Sequence, residues 1–206
     1  MQNRKLILVR HGESVSNRSK TITGRGDALL TRNGRREAGR TARFIQRKFG
    51  REIDHIITSP LSRARVTASC IARRVCTPLE ENGMLMETDF GDWEGEKMAD
   101  IRREPVWQEY ERDPFRFSFP GGESVQDVKK RVLSFKSGLL RQEGWDTAVI
   151  VSHYTPIVFL LLSAIGNGGL KRSPFRIENA SVSIIEIGGG KELLRLVNYK
   201  PRPQFN

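Results

Sequence analysis

Residues 4–12 read Arg4-Lys5-Leu6-Ile7-Leu8-Val9-Arg10-His11-Gly12. Four consecutive apolar residues with no polar residue between them fit a strand buried on both faces, the kind parallel sheets use. The run then stops abruptly on two cationic or ionisable side chains and a glycine. Two further apolar runs stop in a similar way. Residues 53–58 lead into Ser59-Pro60-Leu61-Ser62-Arg63, and 147–151 lead into Ser152-His153. Ligands of open α/β sheets collect outside the carboxyl ends of the strands. Three strands ending on these residues would therefore bring Arg10, His11, Arg63 and His153 to one pocket, although they are far apart in the chain.

Between the strands lie helical patterns. Ala38, Ala42, Ile45 and Phe49 recur at helical spacing over 31–49, with Gly50 as a stop. Leu61, Ala64, Ala68, Ile71 and Val75 form one face over 61–75, after a Ser59-Pro60 start. Ser124 and Asp127 read as a capping pair for 124–140, with Val125, Val128, Val132, Phe135 and Leu139 as its stripe. Residues 155–165 are apolar around most of their surface, which predicts a buried helix. Two late strands, 181–187 and 192–197, flank Gly188-Gly189-Gly190 and read as a hairpin. Strands alternating with helices predict an α/β fold: a three-layer α/β/α sandwich around a mostly parallel, mixed sheet. With no repeat and no linker, residues 1–206 read as one domain. Residues 88–121 form its least regular, lid-like segment, carrying Trp93, Trp107, Tyr110, Phe115, Phe117 and Phe119.

Composition narrows the function. The net charge is +11, from 35 Lys and Arg against 24 Asp and Glu, a balance that suits anionic partners. The basic residues are scattered and no nucleic-acid motif accompanies them, so a solvated surface is favoured over a nucleic-acid partner. The apolar runs are too short to span a membrane, and neither they nor the N-terminus reads as a signal peptide, which predicts a soluble, cytoplasmic protein without a membrane partner. Cys70 and Cys76 fall on different sides of one predicted helix and suit small buried residues in a reducing compartment. They do not form a cysteine-phosphatase loop, because the position where Cys76 would need its Arg holds Asn82. With only His11, His55 and His153, and no paired CxxC or HExxH, no metal site is expected. Beside strand 53–58, His55 reads as structural.

A phosphate would be well served at the three strand ends. Arg10 and Arg63 offer planar forks of donors to its oxygens. Gly12 would allow close backbone approach, and the amides after it would open an anion cradle, with Asn17 in reach. Neighbouring arginines favour neutral His11, whose free ring nitrogen could attack phosphorus. His153 would be better charged, as a further clamp. Glu87, in the apolar run Met84-Leu85-Met86-Glu87, is the expected proton donor to the leaving oxygen.

These residues resemble a family. Arg10-His11-Gly12-Glu13-Ser14, Asn17, Thr23-Gly24, Ser59-Pro60-Leu61-Ser62-Arg63-Ala64, Glu87-Thr88-Asp89-Phe90-Gly91, Gly122-Glu123-Ser124 and Ser152-His153 are similar to the histidine phosphatase superfamily. More narrowly, they resemble its phosphoglycerate mutase-like branch, in which short-chain broad-specificity and α-ribazole phosphatases look nearest. The likeness covers nearly the whole chain. It implies a phosphorylated His11, phosphate held by Arg10, Arg63 and His153, and Glu87 as proton donor and acceptor. Asn17, Thr23 and Gly24 match substrate-side positions, and no cofactor or metal is implied. Many members carry Gly after the second histidine. Here Tyr154 stands there and is expected to shape the pocket. The implied activity is hydrolysis of small phosphomonoesters; a second copy of the chain, in a homodimer, is the one protein partner considered. Mutase chemistry is the runner-up, with Arg102, Arg103, Arg112 and Arg116 available for a carboxylate-bearing substrate. The short 88–121 segment argues against it, because it would admit water. An inactive basic binding or scaffold protein is the alternative from another class.

Overall fold

The computed structural model describes residues 3–166 and 170–202. The first apolar run forms β1 (Arg4–Arg10), with Leu6, Ile7, Leu8 and Val9 buried as their unbroken apolarity demands. It lies beside β4 (Thr147–Ser152), in parallel, and beside β5 (Val182–Gly188), antiparallel. β2 (His55–Thr58) pairs with the other edge of β4. The six strands run β3-β2-β4-β1-β5-β6, where β3 is Leu79–Glu81 and β6 is Lys191–Tyr199. β1 to β4 are parallel, and β5 and β6 add an antiparallel hairpin turned at Gly189 and Gly190, both with positive φ. The mostly parallel mixed sheet matches the sequence expectation.

Two layers of helix cover the sheet. On one face lie α2 (Arg32–Phe49) and α3 (Ser62–Val75), which pack Ala42, Ile45, Ala64, Ala68 and Ile71 onto Ile7, Val9, Ile56, Val149 and Val151. On the other lie α6 (Val125–Arg141) and α7 (Tyr154–Ile165), which seal Leu6, Leu8, Ala148 and Ile150. Seven residues of α7, from Pro156 to Leu162, are buried. At about 1.5–3 kcal/mol for each large apolar side chain, this burial outweighs the poor helix propensity of its branched residues. Thr31 caps α2 and Ser124 caps α6, each accepting the amide three residues on. No described helix is long and apolar enough to cross a membrane.

Three features depart from the sequence reading. The edge strand β3 was hidden, because Leu79-Glu80-Glu81 is too short and polar to carry a period. The short helix α1 (Val15–Ser19) follows the first strand, closed by Ser14 and Asn17 in a reciprocal cap. The 88–121 segment is more ordered than irregular spacing suggested, and contains α4 (Met98–Ile101) and α5 (Pro105–Arg112). Its aromatic residues stack on one another, with Trp93 within 5.1–6.1 Å of Trp107, Tyr110, Phe117 and Phe119.

Candidate active site

The carboxyl ends of β1, β2 and β4 meet as the sequence predicts. Arg10 and Ser152 are register partners, and Thr58 pairs with Val151. The residues just beyond, His11, Ser59 and His153, are thus side by side. His11 and His153 are nearly fully buried, with ring centroids 5.1 Å apart. A cavity of about 610 Å³ opens on this point, lined by Arg10, His11, Arg63 and Glu87, together with Asn17, Thr23, Gly24 and Tyr154.

His11 is oriented by its own backbone. Nδ1 lies 2.8 Å from the Gly12 carbonyl. A carbonyl can only accept, so Nδ1 carries the proton and Nε2 keeps its lone pair. Burial, Arg10 and Arg63 hold the His11 pKa well below the usual histidine value, against a smaller opposing pull from that hydrogen bond. The neutral nucleophile inferred from the sequence is therefore what this environment favours.

His153 differs from expectation. Burial, His11, Arg63 and Arg10 all push its pKa well below the usual histidine value, so the protein alone keeps it neutral rather than charged. Its Nε2 is 2.8 Å from Ser59 Oγ, and its buried Nδ1 has no partner. Like charges converge here, and a neutral imidazole is the cheaper way to hold them together.

The two arginines are anchored by carbonyls. Arg63 projects from the first turn of α3 and donates to Gly24 O at 2.6 Å and Gly26 O at 2.7 Å. Arg10 donates to Ile177 O at 2.6 Å and lies over the Tyr154 ring at 5.6 Å, while its buried Nε lacks a partner. Tyr154 lines the cavity. Its backbone amide turns away to Glu87 Oε2, 3.1 Å distant.

Glu87 is 8% exposed on the cavity wall, and its surroundings are more polar than Met84-Leu85-Met86 suggested. Its carboxylate accepts the amides of Thr88, Tyr154 and Thr155. Its loop is held from behind by Arg131 of α6, which donates to the carbonyls of Met84, Met86 and Glu87 and forks onto Glu123. Glu123 also meets Arg25 at 3.4 Å, next to the Gly24 and Gly26 carbonyls that receive Arg63. Ser59 and Glu123 fall within motifs quoted from the sequence but were given no role there, and Arg131 carried no sequence signal. Arg131 in particular is one basic residue among several beside an apolar stripe.

Gly12 has another task than the one expected. Its amide donates to Thr67 Oγ1 at 3.1 Å, and a Cβ there would lie 2.4 Å from the Gly34 carbonyl. Gly12 lets α2 approach β1 and does not line the cavity. The following amides are also committed, Glu13 to Glu37 and Ser14 to Asn17, so no anion cradle forms there. Asn17 does line the cavity, with its Oδ1 shared between Ser14 N and Asn179 Nδ2.

The other sequence expectations are also placed. His55 pairs with Glu80 at 3.1 Å, away from the site, in a structural role. Cys70 and Cys76 are both free thiols, but neither is the buried residue expected: Cys70 is half-buried, and Cys76 is exposed at the C-terminal cap of α3. Among the described residues, no group of three or more His, Cys, Asp or Glu is arranged to hold a metal ion. Arg102, Arg103, Arg112 and Arg116, which the mutase reading made available for a substrate carboxylate, do not line the cavity. Arg103 and Arg116 turn to Asp100 and Asp113 instead.

The model of the histidine phosphatase superfamily (branch 1) matches residues 6–200. The Mycobacterium tuberculosis protein named Bifunctional protein Rv2228c is 35% identical over 198 residues, 94% of this chain and 53% of that protein. The chain therefore spans about half the length of that relative. Phosphoserine phosphatase 1 of Hydrogenobacter thermophilus is 29% identical, over 94% of this chain and 92% of that protein. Among solved structures, the α-ribazole phosphatase of Shigella flexneri superposes with a TM-score of 0.82 at 26% identity, covering 98% of this chain and 100% of that one.

Proposed function

The chain belongs to the histidine phosphatase superfamily (branch 1), and from that premise we propose that it hydrolyses small phosphomonoesters through a phosphohistidine on His11. The observation that carries this is the fixed His11 tautomer, with Nδ1–H on the Gly12 carbonyl and Nε2 free beside Arg10 and Arg63.

In the first step the Nε2 lone pair attacks phosphorus and the ester P–O bond breaks. The leaving oxygen takes a proton from the Glu87 carboxylic acid, and the alcohol departs. In the second step water attacks the phosphorus of phosphohistidine, Glu87 accepts its proton, and the P–N electrons return to Nε2. Arg10 and Arg63 meet the charge on the equatorial oxygens, where transfer depends on positioning and electrostatics. His153, neutral in the protein alone, can take up a proton when a dianion arrives and add a third donor. No metal is invoked, since these three groups already answer the phosphoryl charge. Free Cys70 and Cys76 suit a cytoplasmic setting. Hydrolysis is preferred to mutase transfer because the lid arginines do not face the cavity.

The test is rapid quench with a ³²P-labelled ester, looking for acid-labile, alkali-stable protein-bound phosphate. It should appear in the wild type and vanish in His11→Ala, with turnover down at least about a thousandfold and the circular dichroism unchanged. Substantial turnover in His11→Ala would sink the mechanism. Assays on 3-phosphoglycerate should release phosphate without isomerised product.

A further inference from the structure

Glu94 lies just past the Gly91–Trp93 turn, half-buried, and does not line the cavity. Three backbone amides nevertheless converge on its carboxylate. Oε1 accepts Arg25 N at 2.8 Å and Phe90 N at 3.2 Å, and Oε2 accepts Gly26 N at 3.2 Å. Bonds to a charged acceptor are stronger than bonds between neutral groups. Two of the three amides belong to the loop 23–27, whose carbonyls hold Arg63. Arg63 Nη2 donates to Gly24 O at 2.6 Å, and Nη1 to Gly26 O at 2.7 Å. The far end of that loop is tied to the start of α3, where Asp27 Oδ1 accepts Ser62 N at 2.9 Å. The third amide, Phe90 N, belongs to the stretch that begins at Glu87. The fit is close, for Gly24 has a φ of +50° and a Cβ there would collide with Glu94 Oε1.

Arg25 N and Gly24 O are the two ends of one peptide group. A trans peptide is planar, so its N–H and C=O point in opposite directions and turn together. Holding the Arg25 amide on one side therefore fixes, on the other, the carbonyl that receives Arg63. The two bonds also polarise each other through the shared peptide. Charge is the lesser part of what Glu94 supplies. Its influence on the Arg63 pKa is the smallest, behind burial, Glu87, Asp27 and Arg10. We propose that Glu94 is a positioning residue for phosphate capture, aiming the Arg63 guanidinium through the Gly24–Arg25 peptide and the Gly26 carbonyl. This deepens the phosphatase reading and rests on it for the position of the phosphate.

The experiment is calorimetric titration with tungstate, an unreactive tetrahedral dianion that reads the phosphate pocket without turnover. A nearby carboxylate repels an anion, so removing its charge alone would tighten tungstate binding. Positioning has the opposite sign. Glu94→Ala should weaken tungstate about tenfold, because a small misplacement of a clamp is costly. Glu94→Gln loses the charge but keeps the shape and one acceptor oxygen, and should weaken it only about threefold. That variant gives the same sign test where Glu94→Ala folds poorly. In an Arg63→Ala background, Glu94→Ala should cost less than about twofold, since the group it positions is gone. The kcat/KM for a small phosphomonoester should fall in the same order. The expected tungstate losses with no turnover by any form, wild type included, would sustain the positioning role and defeat the phosphatase reading. Tighter or unchanged binding in the Glu94 variants, or an undiminished loss once Arg63 is removed, would overturn the proposal.

Discussion

His11 and His153 share one small volume with two arginines, and that crowding has a cost the protein cannot hide from pH. Both histidines are buried, and both have folded-state pKa values well below the usual 6.5. Above that value neither state binds the proton, so they exert no pull. As pH falls below about 6.5 the unfolded chain protonates first, and the folded state loses stability. Each histidine contributes a slope of up to about 1.4 kcal/mol per pH unit in this window. Denaturant unfolding at pH 7.5, 6.5 and 5.5 should therefore show falling stability, and His153→Asn should remove about half of the slope. A flat profile would mean that both rings take up the proton in the fold as readily as in the unfolded chain. Activity follows a different curve. Because folded His11 stays neutral, the kcat/KM of the wild type should hold its plateau to well below pH 6.5. At this scale the sequence was informative where a side chain follows closely on a strand's end, as His11 does after β1 and Arg63 does in the first turn of α3. It misled on His153, expected to be charged, because its protonation depends on burial and on His11, Arg63 and Arg10 brought in by other elements.

An element can serve a reaction without touching it. Helix α6 packs its apolar stripe into the core, as its period predicts, yet its Arg131 faces the loop that carries Glu87. The guanidinium takes the carbonyls of Met84, Met86 and Glu87, and Glu123 holds it in place. Arg131 is thus a positioning residue, coupling the acid's loop to Glu123, Arg25 and the segment that anchors Arg63. Arg131→Ala should lower kcat about 10- to 100-fold for an alkyl phosphate, which needs its leaving oxygen protonated. For 4-nitrophenyl phosphate, whose leaving group needs no acid, the loss should stay within about threefold. Equal losses on both substrates would show that Arg131 matters only for stability or phosphate binding. No periodicity marks such a residue, since arginines on helix flanks are ordinary. Helices α2, α3, α6 and α7 and five of the six strands were legible because each buries an apolar face or run, whereas α1, α4 and α5 are too short to show one. β3 was not legible, for an edge strand of three residues has no face to repeat. Gly12 illustrates the converse: the glycine was visible, but its reason, the Gly34 carbonyl of α2, exists only once the helix has packed.

The whole molecule carries +11, and where that charge sits separates an enzyme from a basic binding module. Helices α2 and α3 start beside the site, at Gly34 and Arg63, and run away from it along the sheet. Eighteen residues of α2 span about 27 Å. The exposed Arg43, Lys48 and Arg73 therefore stand toward the far end of the sandwich, about two Debye lengths from the phosphate pocket at about 0.15 M salt. Charge there can attract a polyanion, but its field is screened before it reaches the cavity. Reversing all three to Glu lowers the net charge by six, from +11 to +5. The triple variant should keep kcat/KM for a small phosphomonoester within about twofold of wild type at that ionic strength. Its retention on a heparin column should weaken markedly, because non-specific polyanion affinity scales with the phosphates or sulfates neutralised. If turnover instead fell in step with heparin retention, the remote charge would be steering substrate, and the pocket's own arginines would be insufficient to capture it. The expected separation of the two effects would assign the basic surface to solvation and the chemistry to the cluster where β1, β2 and β4 end.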